Sequence, residues 1–246
     1  MTDPVHPLSV PRNAKQLLHV GEVTLPDMIA RSEDSGCAPL VQSNTDGLIV
    51  SAQNSDRLQA VCHEWEGRVG VRLEFDELQK VVQRDVNNYI AVFKNGKIER
   101  KGAAVKENNI LDNDLPIINK SVTNFLLTGA SIRDTIYSEQ SLIEFQKLVK
   151  LSSKYKWVEH EEPDGNARYE WKCYRVFATD NWDYGRILKC DGVRNPAKFA
   201  NTPDHCVIEN SDIRGMKVDA APFNLDREWY VNEAMKRVKD FGLEPR

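Results

Sequence analysis

An Asn95-Gly96 dipeptide between two strand-like runs is the feature that most restricts how this chain can fold. The runs are residues 88–93 before the dipeptide and residues 98–102 after it. Asn-Gly is a strong hairpin signal because both residues accept positive backbone angles. The sequence therefore predicts an antiparallel hairpin with a tight turn at residues 94–97.

The predicted hairpin is basic, although the whole chain of 246 residues has a formal net charge of -4. Between positions 80 and 101 the basic residues are Lys80, Arg84, Lys94, Lys97, Arg100 and Lys101. Only Asp85 and Glu99 oppose them, which leaves a local charge of +4. Such a patch is suited to phosphate binding. Lysines on an exposed strand edge also prevent unwanted strand pairing, so charge alone leaves both interpretations open.

A second hairpin is predicted earlier in the chain, with its turn at Asn44-Thr45-Asp46-Gly47. The flanking residues 38–41 and 48–50 have the composition of short buried strands. Asp46 would then stand at the hairpin tip, where a sheet can present a carboxylate to a metal ion. An Asn-Thr-Asp-Gly turn is also an ordinary hairpin connection, because Asp and Gly suit its backbone angles.

Between the two hairpins the pattern predicts one helix and one further strand. Ser55 can cap a helix with apolar residues at helical spacing, and Gly67 is placed to end it. Residues 71–76 then alternate between apolar and charged side chains, as a half-buried strand does. We therefore expect an antiparallel sheet with a packed helix up to about Val105.

The second half of the chain has the pattern of several helices. One is predicted from Leu115-Pro116 to Gly129, two short ones begin at capping boxes after Ser131 and Ser141, and a last one covers residues 226–241. The helix after Ser141 would leave four lysines exposed near its end: Lys147, Lys150, Lys154 and Lys156. These lysines either reach a phosphate backbone or offset the helix dipole.

Residues 169–177 and 186–189 have strand-like composition, and an aromatic cluster lies in the same region. Its members are Trp171, Tyr174, Phe177, Trp182 and Tyr184. Aromatic side chains can stack on bases, but this cluster favours a core because apolar residues accompany it. The acidic run 159–165 is interpreted as a solvated loop.

Composition bounds the class of protein. With 41% hydrophobic and 28% charged residues, the chain can bury a core in one or two domains. Residues 1–12 have no apolar segment of the secretory type, and no run has the length of a membrane span, so a cytoplasmic location is expected.

The five cysteines form no close Cys-x-x-Cys pair, and their odd number favours reduced thiols. A zinc site built from Cys173, Cys190, His205 and Cys206 is disfavoured by the irregular separations.

The early hairpin resembles motif C of family B DNA polymerases, in which an Asp-Thr-Asp turn of the palm domain holds the catalytic metals. Several bacteriophage members carry Asn-Thr-Asp-Gly at this place. Asp46 matches the acid that binds the metals, with Thr45 and Gly47 completing the motif. Asn44 stands where the family has its first acid, so one neighbouring charge is missing.

The basic hairpin carries the second match. The family has a Lys-x-Tyr strand and a returning strand that ends in Lys-Gly, and both track the primer-template backbone. Tyr89, Lys101 and Gly102 match, whereas Asn87 stands in place of the first lysine. The resemblance implies DNA contacts by Tyr89, Lys94, Lys97, Arg100, Lys101 and Gly102. It runs in order from about Pro11 to Phe241, and Trp229-Tyr230-Val231 matches a terminal helix of the family.

The resemblance implies an α+β fold with a partial palm domain at residues 1–110 and a mainly helical thumb-like domain at residues 111–246. The chain would be the C-terminal part of a DNA-directed DNA polymerase that uses Mg²⁺ or Mn²⁺ in a two-metal mechanism. Its partners would be primer-template DNA, a dNTP and an N-terminal half that supplies motifs A and B, with no membrane. Because those motifs are not found in this sequence, the chain alone is expected to be inactive, and the location would be a bacterial host cytoplasm.

Two alternatives remain at this point. One is a noncatalytic nucleic-acid-binding module or a truncated polymerase remnant, which the residue Asn44 and the missing acids favour. The other is a structural or interaction protein that uses an exposed sheet edge only to dock a partner.

Overall fold

The computed structural model describes residues 25–36, 38–43, 47–107 and 114–244. These residues form two compact units, which divide between Glu77 and Leu78. Every strand pairing among them is antiparallel, and helices occur in both units. The chain therefore has the predicted α+β class. The boundary expected near residue 110, between a partial palm domain and a thumb-like domain, stays a prediction.

The first unit contains two helices and one hairpin. Its elements are α1 (residues 25–34), β1 (Leu40–Ser43), β2 (Leu48–Val50) and α2 (Ser55–Val69). β1 pairs with β2 and places Ser43 opposite Leu48, which confirms the predicted strands of the early hairpin. Met28 of α1 packs with Cys62 and Trp65 of α2 in a small buried core.

The ends of α2 differ from those predicted. Asn54 caps the helix, since its side-chain oxygen accepts a hydrogen bond from the Arg57 backbone N–H at 3.0 Å. Ser55, the predicted cap, is the first helical residue. The helix also continues through Gly67 and ends at Gly70, which has a φ of 74°. A glycine inside a helix costs only about 1 kcal/mol, so Gly67 is a weak stop signal.

The strand predicted at residues 71–76 is wrong. In the described chain these residues pair with no strand, and the Leu73 N–H donates a hydrogen bond to the Glu66 carboxylate at 2.6 Å. Leu73 packs against the core of the first unit. Val71 and Phe75 are exposed, so only Leu73 of the alternating apolar residues is partly buried. An alternating pattern does not make a strand when the backbone groups lack a partner strand.

The second unit begins with a three-stranded antiparallel sheet of order β3-β4-β5. The strands are β3 (Leu78–Asp85), β4 (Asn88–Phe93) and β5 (Ile98–Lys101). β4 and β5 are the predicted basic hairpin. Ile90 of β4 is buried in the main hydrophobic core of this unit, and Val82 of β3 packs against that core. One face of the sheet is thus covered.

Three α-helices contribute half of the buried residues of this core. They are α3 (Pro116–Thr128), α4 (Ile132–Ser138) and α5 (Arg227–Lys239). Gly129 follows α3 with a φ of 76°, and Ser131 caps α4 by accepting a hydrogen bond from the Asp134 N–H at 3.1 Å. All three helices confirm the predicted ones. No helix within the described ranges is long and apolar enough to cross a membrane.

Two further sheets have the strand orders β12-β9-β6 and β11-β10-β7-β8. Their strands are β6 (Lys147–Lys150), β7 (Trp157–Glu162), β8 (Gly165–Tyr169), β9 (Cys173–Ala178), β10 (Ile187–Cys190), β11 (Ala197–Lys198) and β12 (Cys206–Ile208). β9 and β10 confirm two predicted strands. With seven strands among residues 114–244, the mainly helical character predicted for this region is not shown.

The second short helix predicted after Ser141 is wrong beyond its first turn. A 3-10 helix, Leu142–Phe145, is followed directly by β6. Asp114 holds the start of β6, because its carboxylate accepts hydrogen bonds from the Leu148 N–H and from Lys147 Nζ, both at 2.7 Å. Lys147 is therefore engaged within the protein instead of lying on an exposed helix face.

The acidic run 159–165, predicted to be a loop, forms the β7–β8 hairpin. Val158 and His160 point to the buried side, while Glu161 is exposed. The two ring nitrogens of His160 lie 2.8 Å from the Cys206 carbonyl oxygen and 3.0 Å from a Glu162 carboxylate oxygen. A buried polar ring requires such partners. One of them, Cys206, comes from β12, which is distant in sequence, and the other comes from the same strand.

The core position predicted for the aromatic cluster is confirmed for Tyr174 and Phe177, which are fully buried. Trp171 and Trp182 are different, with 49% and 80% of their surface exposed. The prediction of a core position is therefore wrong for these two tryptophans.

Tyr230 links α5 to β9. Its fully buried ring meets Phe145 edge-on, with 5.1 Å between the ring centroids. Its hydroxyl oxygen accepts a hydrogen bond from the Ala178 backbone N–H at 3.1 Å. Ring and hydroxyl thus connect the helical core to a sheet.

Replacing Tyr230 by Phe should leave the buried Ala178 N–H without its acceptor. Such a change typically costs about 1–3 kcal/mol of unfolding free energy. Urea denaturation followed by circular dichroism measures the loss. Asn232→Ala on the exposed side of α5 is the control, with an expected change below about 0.5 kcal/mol. Equal stabilities of the two variants would show that this hydrogen bond does not contribute.

Candidate nucleic-acid interface

The β4–β5 turn has a loop of three residues, whereas the prediction was a tight turn in which both Asn95 and Gly96 have positive backbone angles. The Phe93 N–H donates to the Lys97 carbonyl, and the Gly96 N–H donates to the Phe93 carbonyl, both at 2.9 Å. Lys94, Asn95 and Gly96 thus form a three-residue loop in which Gly96 has a φ of 86°. The Asn95 side chain accepts a hydrogen bond from the Lys97 N–H at 2.9 Å. This is a common hairpin loop, in which only the glycine needs a left-handed conformation.

The turn sets the register that brings two predicted site residues together. Tyr89 pairs with Lys101, and Ala91 pairs with Glu99. Directly paired residues of antiparallel strands have neighbouring side chains. Lys101 Nζ lies 5.9 Å from the centroid of the Tyr89 ring, and the Tyr89 hydroxyl donates a hydrogen bond to the Glu99 carboxylate. Tyr89, Glu99 and Lys101 therefore form one cluster.

Glu99 controls the chemistry of Tyr89. The hydrogen bond to this carboxylate, together with burial, raises the pKa of Tyr89 to about 12. The phenol thus stays a neutral hydrogen-bond donor at physiological pH. The sequence showed Glu99 only as an opposing charge, because the register that places it beside Tyr89 depends on the three-residue loop, which differs from the predicted turn.

Lys97 lies on the same side of the sheet as Tyr89. Its Nζ is 4.9 Å from the centroid of the Phe93 ring, and Phe93 shares a face with Tyr89 because side chains alternate along a strand. Tyr89, Phe93, Lys97 and Lys101 are called the Tyr89 face below. Each ammonium group lies near an aromatic ring, which attracts cations, and has three N–H donors for an anionic partner.

Arg100 lies on the opposite side of the sheet. It pairs with Ile90, a residue of the main core, and its guanidinium group forms an ion pair with Glu107 at 3.0 Å. Its Nε atom is buried. The predicted DNA contact of Arg100 stays a prediction, but the structure does not bring this residue together with Tyr89 or Lys101.

Two other basic residues of the patch also bind within the protein. Lys80 Nζ donates hydrogen bonds to the carbonyls of Leu126 at 2.6 Å and Leu127 at 3.0 Å, at the end of α3. Arg84 Nε donates to the Asp85 carboxylate at 2.9 Å. Carbonyls at a helix C-terminus carry partial negative charge, so Lys80 stabilises that end. The charge counted along the sequence is therefore larger than the charge on the Tyr89 face.

Gly102 allows a close approach of two chain segments. It has a φ of 97°, and a Cβ atom at this position would lie 2.2 Å from Asn88 Oδ1 and 2.7 Å from the Asn87 carbonyl oxygen. Asn88 in turn donates a hydrogen bond to Asp85 at 2.9 Å. This bond and one from Arg84 lower the pKa of Asp85 to about 2. Gly102 thus has a steric role that the sequence did not reveal.

The predicted metal-binding motif lies largely outside the described residues. This applies to Asn44, Thr45 and Asp46, while Gly47 directly precedes β2. Within the described ranges, no group of three His, Cys, Asp or Glu side chains could hold a metal ion. The described cysteines form no disulfide with one another, and burial raises the pKa of Cys206 to about 12. Metal binding by Asp46 stays a prediction.

The fold is similar to part of the family B DNA polymerase from the hyperthermophilic archaeon Pyrobaculum calidifontis. The TM-score is 0.55 and the sequence identity is 13%. The similarity covers 94% of this chain and 30% of that polymerase, so the chain spans less than a third of its length. No protein-family model and no curated protein matches the sequence. The chain therefore has a family B polymerase-like fold, and the similarity concerns the fold alone.

Replacing Gly102 by Ala should destabilise the protein more than replacing Gly129 by Ala. Both glycines have a positive φ, but a Cβ atom at Gly129 meets no atom within 4 Å. Gly129→Ala should thus cost only the backbone strain, about 1–2 kcal/mol. Urea denaturation of both variants measures the difference. Equal losses would mean that Asn88 moves aside at no cost, which would contradict the steric role of Gly102.

Proposed function

We propose that this chain is the C-terminal palm and thumb part of a phage-type family B DNA-directed DNA polymerase, and that the Tyr89 face contacts primer-template DNA. The pairing of Tyr89 with Lys101 on a basic hairpin, within a family B polymerase-like fold, is the observation that carries this proposal. The likeness of Asn44-Thr45-Asp46-Gly47 to motif C supports the assignment to a palm domain.

The chemistry of the Tyr89 face suits a phosphate backbone. Lys97 and Lys101 are exposed residues, and each places its ammonium nitrogen within about 6 Å of the centre of an aromatic ring. A lysine binds phosphate as a point charge, and each neutralised phosphate releases counterions. The Glu99 carboxylate accepts a hydrogen bond from the Tyr89 hydroxyl, so this acid is engaged within the sheet. Lys97 and Lys101 are therefore the cations that we assign to DNA.

The catalytic part of the proposal concerns Asp46. This carboxylate would bind Mg²⁺ or Mn²⁺ together with acids of motif A, which lie outside this sequence. When bound, such ions stabilise the negative charge that develops during phosphoryl transfer. A partner segment with motifs A and B would also bind the incoming dNTP. Catalysis therefore requires that segment, whereas DNA binding does not.

Charge reversal on the Tyr89 face tests the DNA contact. Binding of a fluorescently labelled primer-template duplex is measured by anisotropy across a salt series. The Lys97→Glu/Lys101→Glu variant should lose at least about tenfold in affinity, and its salt slope should be smaller by about 2 because two phosphate contacts are lost.

The matched control is Lys172→Glu/Lys217→Glu, which changes the net charge equally at two exposed lysines outside the hairpin. This control should keep most of the affinity and the slope. An equal loss in both variants would show a nonspecific charge effect, and no binding by the unmodified chain at low salt would overturn the proposal. Circular dichroism confirms that the variants remain folded.

The purified chain should bind the duplex without extending the primer, since a single carboxylate cannot hold two metal ions. The assay contains primer-template DNA, the four dNTPs and Mg²⁺, with a complete DNA polymerase as the positive control. An Asp46→Asn variant should bind DNA as tightly as the unmodified chain. Templated extension by this chain alone would contradict the proposed need for motif A.

A further inference from the structure

The turn at residues 180–184, called the Trp182 turn below, exposes most of an indole side chain. Trp182 has 80% of its surface exposed, whereas Trp65 has 4% exposed. One side of the indole lies against His205, with 4.6 Å between the ring centroids. Tryptophan is highly buried on average, and it is enriched among the residues that dominate binding at the centres of protein interfaces. The open side of Trp182 is therefore a candidate contact surface.

Hydrogen bonds hold this turn in one conformation. The Asn181 N–H donates to Thr179 Oγ1 at 3.2 Å, and the Asp183 N–H donates to Asn181 Oδ1 at 3.0 Å. The Tyr184 ring stacks on His160 at 5.9 Å between centroids. The Tyr184 carbonyl also lies 2.7 Å from Nδ1 of the histidine beneath Trp182. Because the turn is already ordered, little conformational entropy is lost when it binds a partner.

The surroundings of the indole are acidic. The carboxylates of Asp180 and Asp183 are exposed and have no ion-pair or hydrogen-bond partner among the described residues. The Glu161 side chain lies against Gly185, where a Cβ atom would come within 2.5 Å of Glu161 Oε2. The nearby cations Arg186 and Lys198 both pair with Asp204. The region thus contains four carboxylates, those of Asp180, Asp183, Glu161 and Asp204, and its two cations already form ion pairs.

This combination selects a cationic partner. The face of an indole attracts guanidinium and ammonium groups, and unpaired carboxylates beside it add to the attraction. The same carboxylates repel phosphates, so base stacking by a nucleic acid is disfavoured. The Trp182 turn therefore selects a partner of opposite charge to the one that the Tyr89 face selects, because lysines lie beside the aromatic rings of that face.

We propose that the Trp182 turn docks a basic segment of a protein partner, with an arginine or lysine side chain laid on the open face of the indole. Asp180 and Asp183 provide the opposing charges. This interaction does not depend on DNA binding by the Tyr89 face, so either proposal can fail without the other.

Nuclear magnetic resonance of the indole N–H groups tests the docking site. The ¹⁵N-labelled full chain is titrated with a blocked peptide of alternating Gly and Arg, with the same peptide carrying Gln for Arg, and with a short oligothymidylate. The Trp182 signal is assigned from Trp182→Phe. We expect the Arg peptide to shift this signal saturably and the Gln peptide to leave it unchanged.

Variants show whether the named residues bind the peptide. Trp182→Ala and Asp180→Asn/Asp183→Asn should each weaken Arg-peptide binding by about tenfold or more. Trp171→Ala, at another exposed indole, is the control and should not change it. Affinity for the primer-template duplex should stay the same in Trp182→Ala. An unshifted Trp182 signal at millimolar Arg peptide, or a shift caused by oligothymidylate instead, would overturn the proposal.

Discussion

Burial of Ile90 in the core of the second unit is the constraint on which the candidate interface depends. Because side chains alternate along a strand, a buried Ile90 directs Tyr89 to the opposite face of the sheet. The three-residue turn then sets the register that places Lys101 opposite Tyr89 and Arg100 opposite Ile90. Gly102 permits the close contact with the β3–β4 turn at the end of this hairpin. Core packing thus decides which basic residues share a surface.

The hairpin also shows why charge counted along a sequence differs from charge that a ligand meets. Among the basic residues between positions 80 and 101, Lys80, Arg84 and Arg100 bind carbonyl or carboxylate groups of the protein. The Trp182 turn shows the reverse case, since two of its carboxylates have no partner in the described chain. The two surfaces consequently have opposite charge, although each contains an aromatic ring that is not fully buried, Tyr89 in one and Trp182 in the other. Opposite charges select different partners, phosphates at one surface and cations at the other.

Elements with local signals could be predicted from the sequence. Gly129 ends α3, Ser131 caps α4, and the Asn-Gly pair marks the β4–β5 hairpin, because each signal acts on backbone groups a few residues away. Two of the errors have the same physical cause. Residues 71–76 have a strand pattern without a partner, and β6 has a helical pattern but pairs with β9. A side-chain pattern does not show which backbone groups will pair, and hydrogen bonds between distant segments decide between strand and loop.

By itself the sequence determined the α+β class, the basic hairpin and the positions of α3, α4 and α5. These follow from backbone preferences and from the spacing of apolar residues, which act locally. Only the tertiary structure decided that Arg100 faces the core, that Glu99 holds the Tyr89 hydroxyl and that Trp182 remains exposed. Exposure and partners depend on segments distant in sequence, because burial is a property of the packed chain and not of a residue type.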